Sequence, residues 1–80
     1  MMPIKDLLNK IKWDERETES EYEIGYFDRI ANKLIFVDLM EVEVRDGVLI
    51  DWIDDREVTI PFHRIKEVKK KGVVVWKGEH

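Results

Sequence analysis

Cysteine and glutamine are missing from these eighty residues, and histidine occurs only twice. Without cysteine there is no disulfide, no thiolate nucleophile and no cysteine-based zinc site, and a reducing compartment, the cytoplasm, is the expected location. No apolar run approaches the roughly 20 residues that span a bilayer, and the amino terminus lacks the apolar stretch of a secretion signal, so no membrane partner is expected. The four glycines, Gly25, Gly47, Gly72 and Gly78, stand singly, which leaves no glycine-rich loop to cradle a nucleotide phosphate. His63 and His80 with scattered acids match no zinc or calcium ligand spacing, so neither a metal nor another cofactor is expected.

What is present suffices for a core. Hydrophobic residues make up 44% of the chain and include three Trp, three Phe and two Tyr, so a charged fraction of 40% does not make it a disordered tail. A chain of this size buries only about 60 to 65 percent of its unfolded surface, which leaves room for one domain, residues 1–80. Abundant Glu, Lys and Arg beside only two Asn resemble the composition of proteins from hot environments, where ion-pair networks cost less.

The net charge of -4 argues against indiscriminate nucleic-acid binding, because nonspecific affinity comes from neutralising phosphates with Lys and Arg. Its distribution is uneven. Residues 14–28 hold seven acids and one base, whereas residues 63–77 hold six Lys or Arg and one acid. Two readings follow: solvated faces that attract each other, or a local anion site.

Along the chain, Ile4, Leu7, Leu8 and Ile11 recur at the spacing that stacks side chains on one helix face, which predicts a helix over about 3–12 with Pro3 in its first turn. The polar run 14–20 reads as an acidic loop. From about 21 to 77 the chain reads as strands: EYEIGYFD, KLIFVD, MEVEVRD, VLIDWI, EVTIPF, and two more in IKEVKKKGVVVW. Asp46-Gly47 and Lys71-Gly72 are hairpin signals, and Pro61, with no amide hydrogen, belongs at a strand end. The expected fold is α+β: an N-terminal helix packed on a curved, barrel-like antiparallel sheet of five or six strands.

Residues 37–52 and 60–76 share an order of apolar positions, a charged strand, Gly, three apolar residues and Trp. In each, the chain leaves a strand, bends and starts another, at LME in the first and FHR in the second. His63-Arg64 therefore sit at a corner, where side chains are presented at the rim of a sheet.

The runs LNKIKWD (8–14), DR (28–29), IPFHRI (60–65) and GVVVWK (72–77) together resemble a small, largely archaeal family, the RNA cyclic group end recognition domain, which elsewhere is fused to RNA-processing enzymes. The resemblance implies an association with RNA repair and recognition of processed RNA ends such as a 2′,3′-cyclic phosphate. Its partners would be RNA termini and RNA-processing enzymes; nothing in the sequence fixes the oligomeric state.

Such an end carries one negative charge on two non-bridging oxygens, which suits an Arg fork aided by a His donor. Arg64 and His63 supply that pair, Arg29 or Lys12 a further cation, Trp13 a surface for the terminal base, and Asp14 or Asp28 an acceptor for a sugar hydroxyl. Each has a plainer alternative. His63 can be a corner residue bonded to backbone, and Asp28 and Arg29 can cap and pair at a strand end. Trp13 reads first as a plug closing the helix onto the sheet, and Trp52 and Trp76 also read as packing. Catalytic opening of a cyclic phosphate commonly takes two titrating groups. With His80 at the chain end, His63 with an acid leaves room for a weak phosphodiesterase at most, and a noncatalytic module is expected. The alternative is a protein-interaction or homodimerisation module that pairs through an edge strand such as VVVWK.

Overall fold

The computed structural model describes residues 2–78. Pro3 caps the helix: its carbonyl accepts the N–H of Asp6 at 3.0 Å and of Leu7 at 3.1 Å, and the helix α1 runs Ile4–Trp13. The apolar spacing does what it predicts, for Leu8 and Ile11 are buried and Ile4 and Leu7 pack half-buried against the core. Asp6 in the first turn and Lys10 and Lys12 in the last place charge where the helix dipole favours it.

Seven strands follow among the described residues: β1 (Tyr22–Asp28), β2 (Lys33–Asp38), β3 (Glu43–Arg45), β4 (Val48–Ile53), β5 (Arg56–Pro61), β6 (Ile65–Lys70) and β7 (Val73–Lys77). Every pairing is antiparallel and the fold is α+β. The strands form two sheets where one of five or six strands is expected from the sequence: a four-stranded sheet, order β2-β1-β6-β7, and a three-stranded sheet, order β3-β4-β5. Register shifts between Gly25 and Tyr26 and between Val68 and Lys69 bend the larger sheet, but it does not close into a barrel.

The two corners explain the division. The 3-10 turn Leu39–Glu41 carries the chain from β2 in the large sheet to β3 in the small one, and the 3-10 turn Phe62–Arg64 carries it back from β5 to β6. Each corner is anchored by what flanks it: Leu39 and Val42 at the first and Ile65 at the second are buried, and Phe62 packs on the core. The Phe62 N–H also donates to Gly47 O at 2.9 Å, tying the second corner to the turn between β3 and β4. Gly47 takes φ +72° there, so the Asp46-Gly47 hairpin forms where the sequence signals it. The β4–β5 hairpin turns on Asp54 and Asp55, both at positive φ, a two-residue turn that matches the twist of its strands.

Between the sheets lie Tyr22, Ile24, Tyr26, Leu39, Val42, Leu49, Ile60, Ile65 and Val68, joined by Leu8 and Ile11 of the helix. Trp13 is not among them. It is 84% exposed, which overturns its reading as a core plug. Two residues beyond Ile11 the helix has rotated by about 200°, so Trp13 points away from the face that Ile11 buries. Trp76 does pack on the core, its Nε1–H donating to Met2 O at 2.6 Å, whereas Trp52 is half exposed.

Candidate functional site

The uneven charge resolves into pairs inside the molecule. Lys70 Nζ lies 3.0 Å from Glu17 Oε1, Lys71 Nζ 3.2 Å from Glu21 Oε2, and the Lys71 N–H donates to Glu21 O at 2.8 Å. The acidic segment is thus docked on the β6–β7 hairpin. The Tyr22 hydroxyl donates to Glu17 as well, and Lys70 sits 5.6 Å from the Tyr22 ring centre. These contacts hold the Glu17 carboxyl below its ordinary pKa, first through Tyr22 and then Lys70, and raise the Lys70 ammonium through Glu17. Lys69 lies 4.4 Å over the Phe36 ring and 3.9 Å from Glu67. The lysine run, the most obvious basic feature of the sequence, is therefore engaged within the protein.

Arg29 and Arg64 lie elsewhere. Antiparallel pairing of Tyr26 with Ile65 carries the corner residue Arg64 alongside the end of β1, where Arg29 begins the turn into β2. Arg29 and Arg64 line one pocket of about 460 Å³ together with Tyr26, Asp28, Ile30, Ile53, Val58, Thr59 and Ile60. Among the described residues neither guanidinium has an ion-pair partner. Arg64 Nε is buried and, among the described residues, no group accepts a hydrogen bond from it. A buried donor left unpaired costs about 1–3 kcal/mol, a cost the fold carries at Arg64.

Asp28 holds the rim. Its Oδ1 accepts the N–H of Ile30 at 2.8 Å and of Ala31 at 3.2 Å, and Asn32 closes the turn at φ +55°. Asp28 therefore caps the β1–β2 turn without pairing with Arg29. Tyr26 is buried and lines the pocket; its phenol pKa is raised by burial and then by Asp28 and Asp51, so it stays protonated and can donate. Two guanidinium groups against one carboxylate leave the lining with a net charge of one positive unit, which matches a monoanion.

The other expected residues lie apart from this pocket. On the 3-10 turn the side chains fan out by about 120° per residue. Phe62 faces a cleft with Lys5, Asn9 and Gly47, Arg64 faces the arginine pocket, and His63 between them is exposed and lines neither. The His63 carbonyl accepts from Lys66 Nζ at 3.3 Å. Lys12 and Trp13 line a different concavity with Asn9 and Val44, and Lys12 Nζ is 3.1 Å from Glu19 Oε2. Asp14 is bound by its neighbour Arg16, whose Nε and Nη2 each donate at 3.0 Å; that contact lowers the Asp14 pKa to about 2. His80 lies outside the described residues.

Tyr26, Thr59, Ile30 and Ile53 line the pocket without having been singled out by the sequence. Only Ile30 carries a local signal, as a large apolar residue in a short turn; the rest arrive through strand pairing. Among the described residues no three His, Cys, Asp or Glu cluster as a metal site would need, and no helix is long and apolar enough to cross a membrane.

Known proteins resemble this chain along nearly its whole length. Residues 1–77 match the family model described as the MJ1316 RNA cyclic group end recognition domain. The chain is 37% identical over 75 residues to a UPF0248 protein of Metallosphaera sedula, covering 94% of this chain and 91% of that protein. It is 32% identical over 79 residues to a UPF0248 protein of Saccharolobus islandicus, covering 95% and 99%. A UPF0248 protein of Thermococcus sibiricus is 37% identical over 78 residues, covering 92% and 83%. No solved structure matches the chain.

Proposed function

The chain belongs to the MJ1316 RNA cyclic group end recognition domain family, and from that premise we propose that it is a noncatalytic module that binds processed RNA 3′ ends, such as a 2′,3′-cyclic phosphate, during RNA repair or processing. The observation that carries this reading is the pairing of Arg29 and Arg64 in one pocket, with Arg64 Nε buried and unpartnered. A guanidinium fork offers two parallel donors to the two non-bridging oxygens of a cyclic phosphate. Tyr26 and Thr59 offer hydroxyls for the ribose. In this role Arg64 and Arg29 hold the anion. His63, Lys12 and Trp13 serve the strand that leads away from the pocket, and Trp13, exposed at the helix end, presents a face on which a base stacks. In this reading the pocket binds without turnover, and the lining residues hold the end instead of transferring its protons.

Fluorescence anisotropy of short RNAs that differ only in their 3′ end, as cyclic phosphate, phosphate or hydroxyl, tests the reading at two salt concentrations. The cyclic end is expected to bind tightest. Equal affinities would reject end recognition and leave only general RNA binding. Analysis of the recovered RNA for ring opening tests the noncatalytic half of the proposal.

One observation favours a second reading. Edge strand β7 leaves Val73, Val74 and Val75 exposed at 64%, 41% and 49%, a surface suited to strand pairing with another chain. Sedimentation across a wide concentration range separates the two: a mass that rises with concentration in the absence of RNA favours the interaction module.

A further inference from the structure

The arginine pocket has a second chemical half. Ile30 on the β1–β2 turn is 99% exposed and Ile53 at the end of β4 is 48% exposed, and both line the pocket that holds Arg29 and Arg64. A lone exposed isoleucine means little, since scattered apolar side chains are common on protein surfaces. Here two of them reach the same cavity from separate hairpins, with Val58 half-buried behind them, beside an unpartnered buried guanidinium nitrogen.

Neither lies on an undefined segment. Asp28 accepts the Ile30 N–H and so fixes the turn that presents it, and the two-residue Asp54-Asp55 turn closes the hairpin that presents Ile53. The lining therefore combines two guanidinium groups with exposed apolar side chains. Bare inorganic phosphate would use only the guanidinium groups. A ligand that fills both halves is an anion carried on a flat, weakly polar group, and in an RNA terminus that group is the last nucleobase. Aliphatic side chains hold a base by its faces in the same way that base-extruding enzymes do.

We propose that Ile30 and Ile53 form an apolar slot for the terminal nucleobase, so that the pocket selects one nucleoside carrying a phosphate monoanion over the same anion without its base. This rests on the RNA-end reading above and adds to it the part of the terminus that supplies selectivity. The slot contacts base faces and leaves the edges unread, so base identity matters little, with purines favoured by their larger area.

Calorimetric titration of the full chain with adenosine 2′,3′-cyclic phosphate, with 1-O-methylribose 2′,3′-cyclic phosphate, which lacks the base, and with inorganic phosphate tests it. The nucleotide is expected to bind at least tenfold tighter than the base-free ring. Ile30→Ala, at a position with no packing to lose, is expected to erase most of that difference while leaving the affinity for the base-free ring and the melting temperature unchanged. Equal binding of nucleotide and base-free ring, or a nucleotide affinity that both Ile30→Ala and Ile53→Ala leave intact, overturns the slot while the RNA-end reading stands. Failure of both cyclic phosphates to bind, where a cyclic-ended RNA also fails, overturns the two together.

Discussion

Arg64 and Arg29 approach one pocket from different elements, the first from the corner between the sheets and the second from the turn after β1, and among the described residues neither forms an ion pair. If Arg64 holds the anion, function and stability pull in opposite directions at this residue. Replacing it by Met keeps the apolar stem and removes the unpaired buried nitrogen, whose penalty is about 1–3 kcal/mol. The melting temperature of Arg64→Met is expected to rise, by roughly 4–8 °C for each kcal/mol regained in a chain of this size. Affinity for a cyclic-phosphate RNA is expected to fall about 10- to 150-fold, the worth of a hydrogen bond to a charged group. Paired thermal melts and anisotropy check both halves; a variant that melts lower and binds RNA normally assigns Arg64 to the scaffold instead.

Position separates His63 from Arg64. His63 is exposed and outside the pocket, so His63→Ala is expected to weaken cyclic-end binding by less than threefold while Arg64→Lys, which loses the planar fork, weakens it by tenfold or more. The same anisotropy assay decides: equal losses from the two substitutions would put the imidazole in the site.

How far the sequence leads is visible at particular residues. The helix face, the Asp46-Gly47 hairpin and the Lys71-Gly72 hairpin are local, and each forms where spacing or turn chemistry predicts. The corner at Phe62–Arg64 is also legible, from the echo with Leu39–Glu41. What the chain does not disclose is that each corner changes sheets, because a bend in sequence says nothing about which partner the next strand finds. Arg29 and Arg64 meet only through the β1–β6 pairing, with its bulge at Gly25, and no local pattern encodes that register. Trp13 differs: its angular offset from Ile11 follows from the helix spacing, and that offset wins over the general tendency of Trp to be buried.

That offset gives a prediction of its own. With 84% of its surface exposed, Trp13 contributes little to the core, and Trp13→Ala is expected to change stability by no more than about 0.5 kcal/mol. If it stacks a base upstream of the terminus, affinity for an RNA of several nucleotides falls by about 1–3 kcal/mol, the usual worth of one stacked base. Affinity for a mononucleotide stays the same. Parallel titrations with the two ligands distinguish a stacking platform from a bystander.

Gly25 sits directly opposite Phe36 on β2, and a Cβ on Gly25 would come within 2.7 Å of Phe36 Cε1. The ring covers the glycine and is in turn covered by Lys69 at 4.4 Å, so a half-exposed phenylalanine is performing a packing role on the outer face of the sheet. Gly25→Val, which displaces the ring, and Phe36→Ala, which uncovers the backbone, are each expected to cost about 1 kcal/mol, in the range of cross-strand pairs. Their double variant should cost less than the two added together. Additive costs in chemical denaturation would show that the pair is not coupled.

The Glu17, Tyr22 and Lys70 cluster makes stability depend on pH at both ends of the scale. Glu17 is held below its ordinary pKa of 4.5, so the stability it confers is fully present above that value and drains away as pH falls through the lowered one. Lys70 is held above its ordinary 10.5, so its share is fully present below that value and is lost as pH rises past the raised one. Between these limits the contact pins the acidic segment to the β6–β7 hairpin. Glu17→Gln removes the charge that both effects require, and is expected to flatten the melting temperature below about pH 4.5 and above about pH 10.5 relative to the unsubstituted chain. Melting curves at intervals from pH 2 to 12 provide the check. An unchanged profile would mean that the segment 14–21 is anchored by the Lys71 N–H to Glu21 O bond and the Lys71–Glu21 pair instead. In that case Lys71→Ala, which keeps the backbone bond, would separate the two remaining contacts.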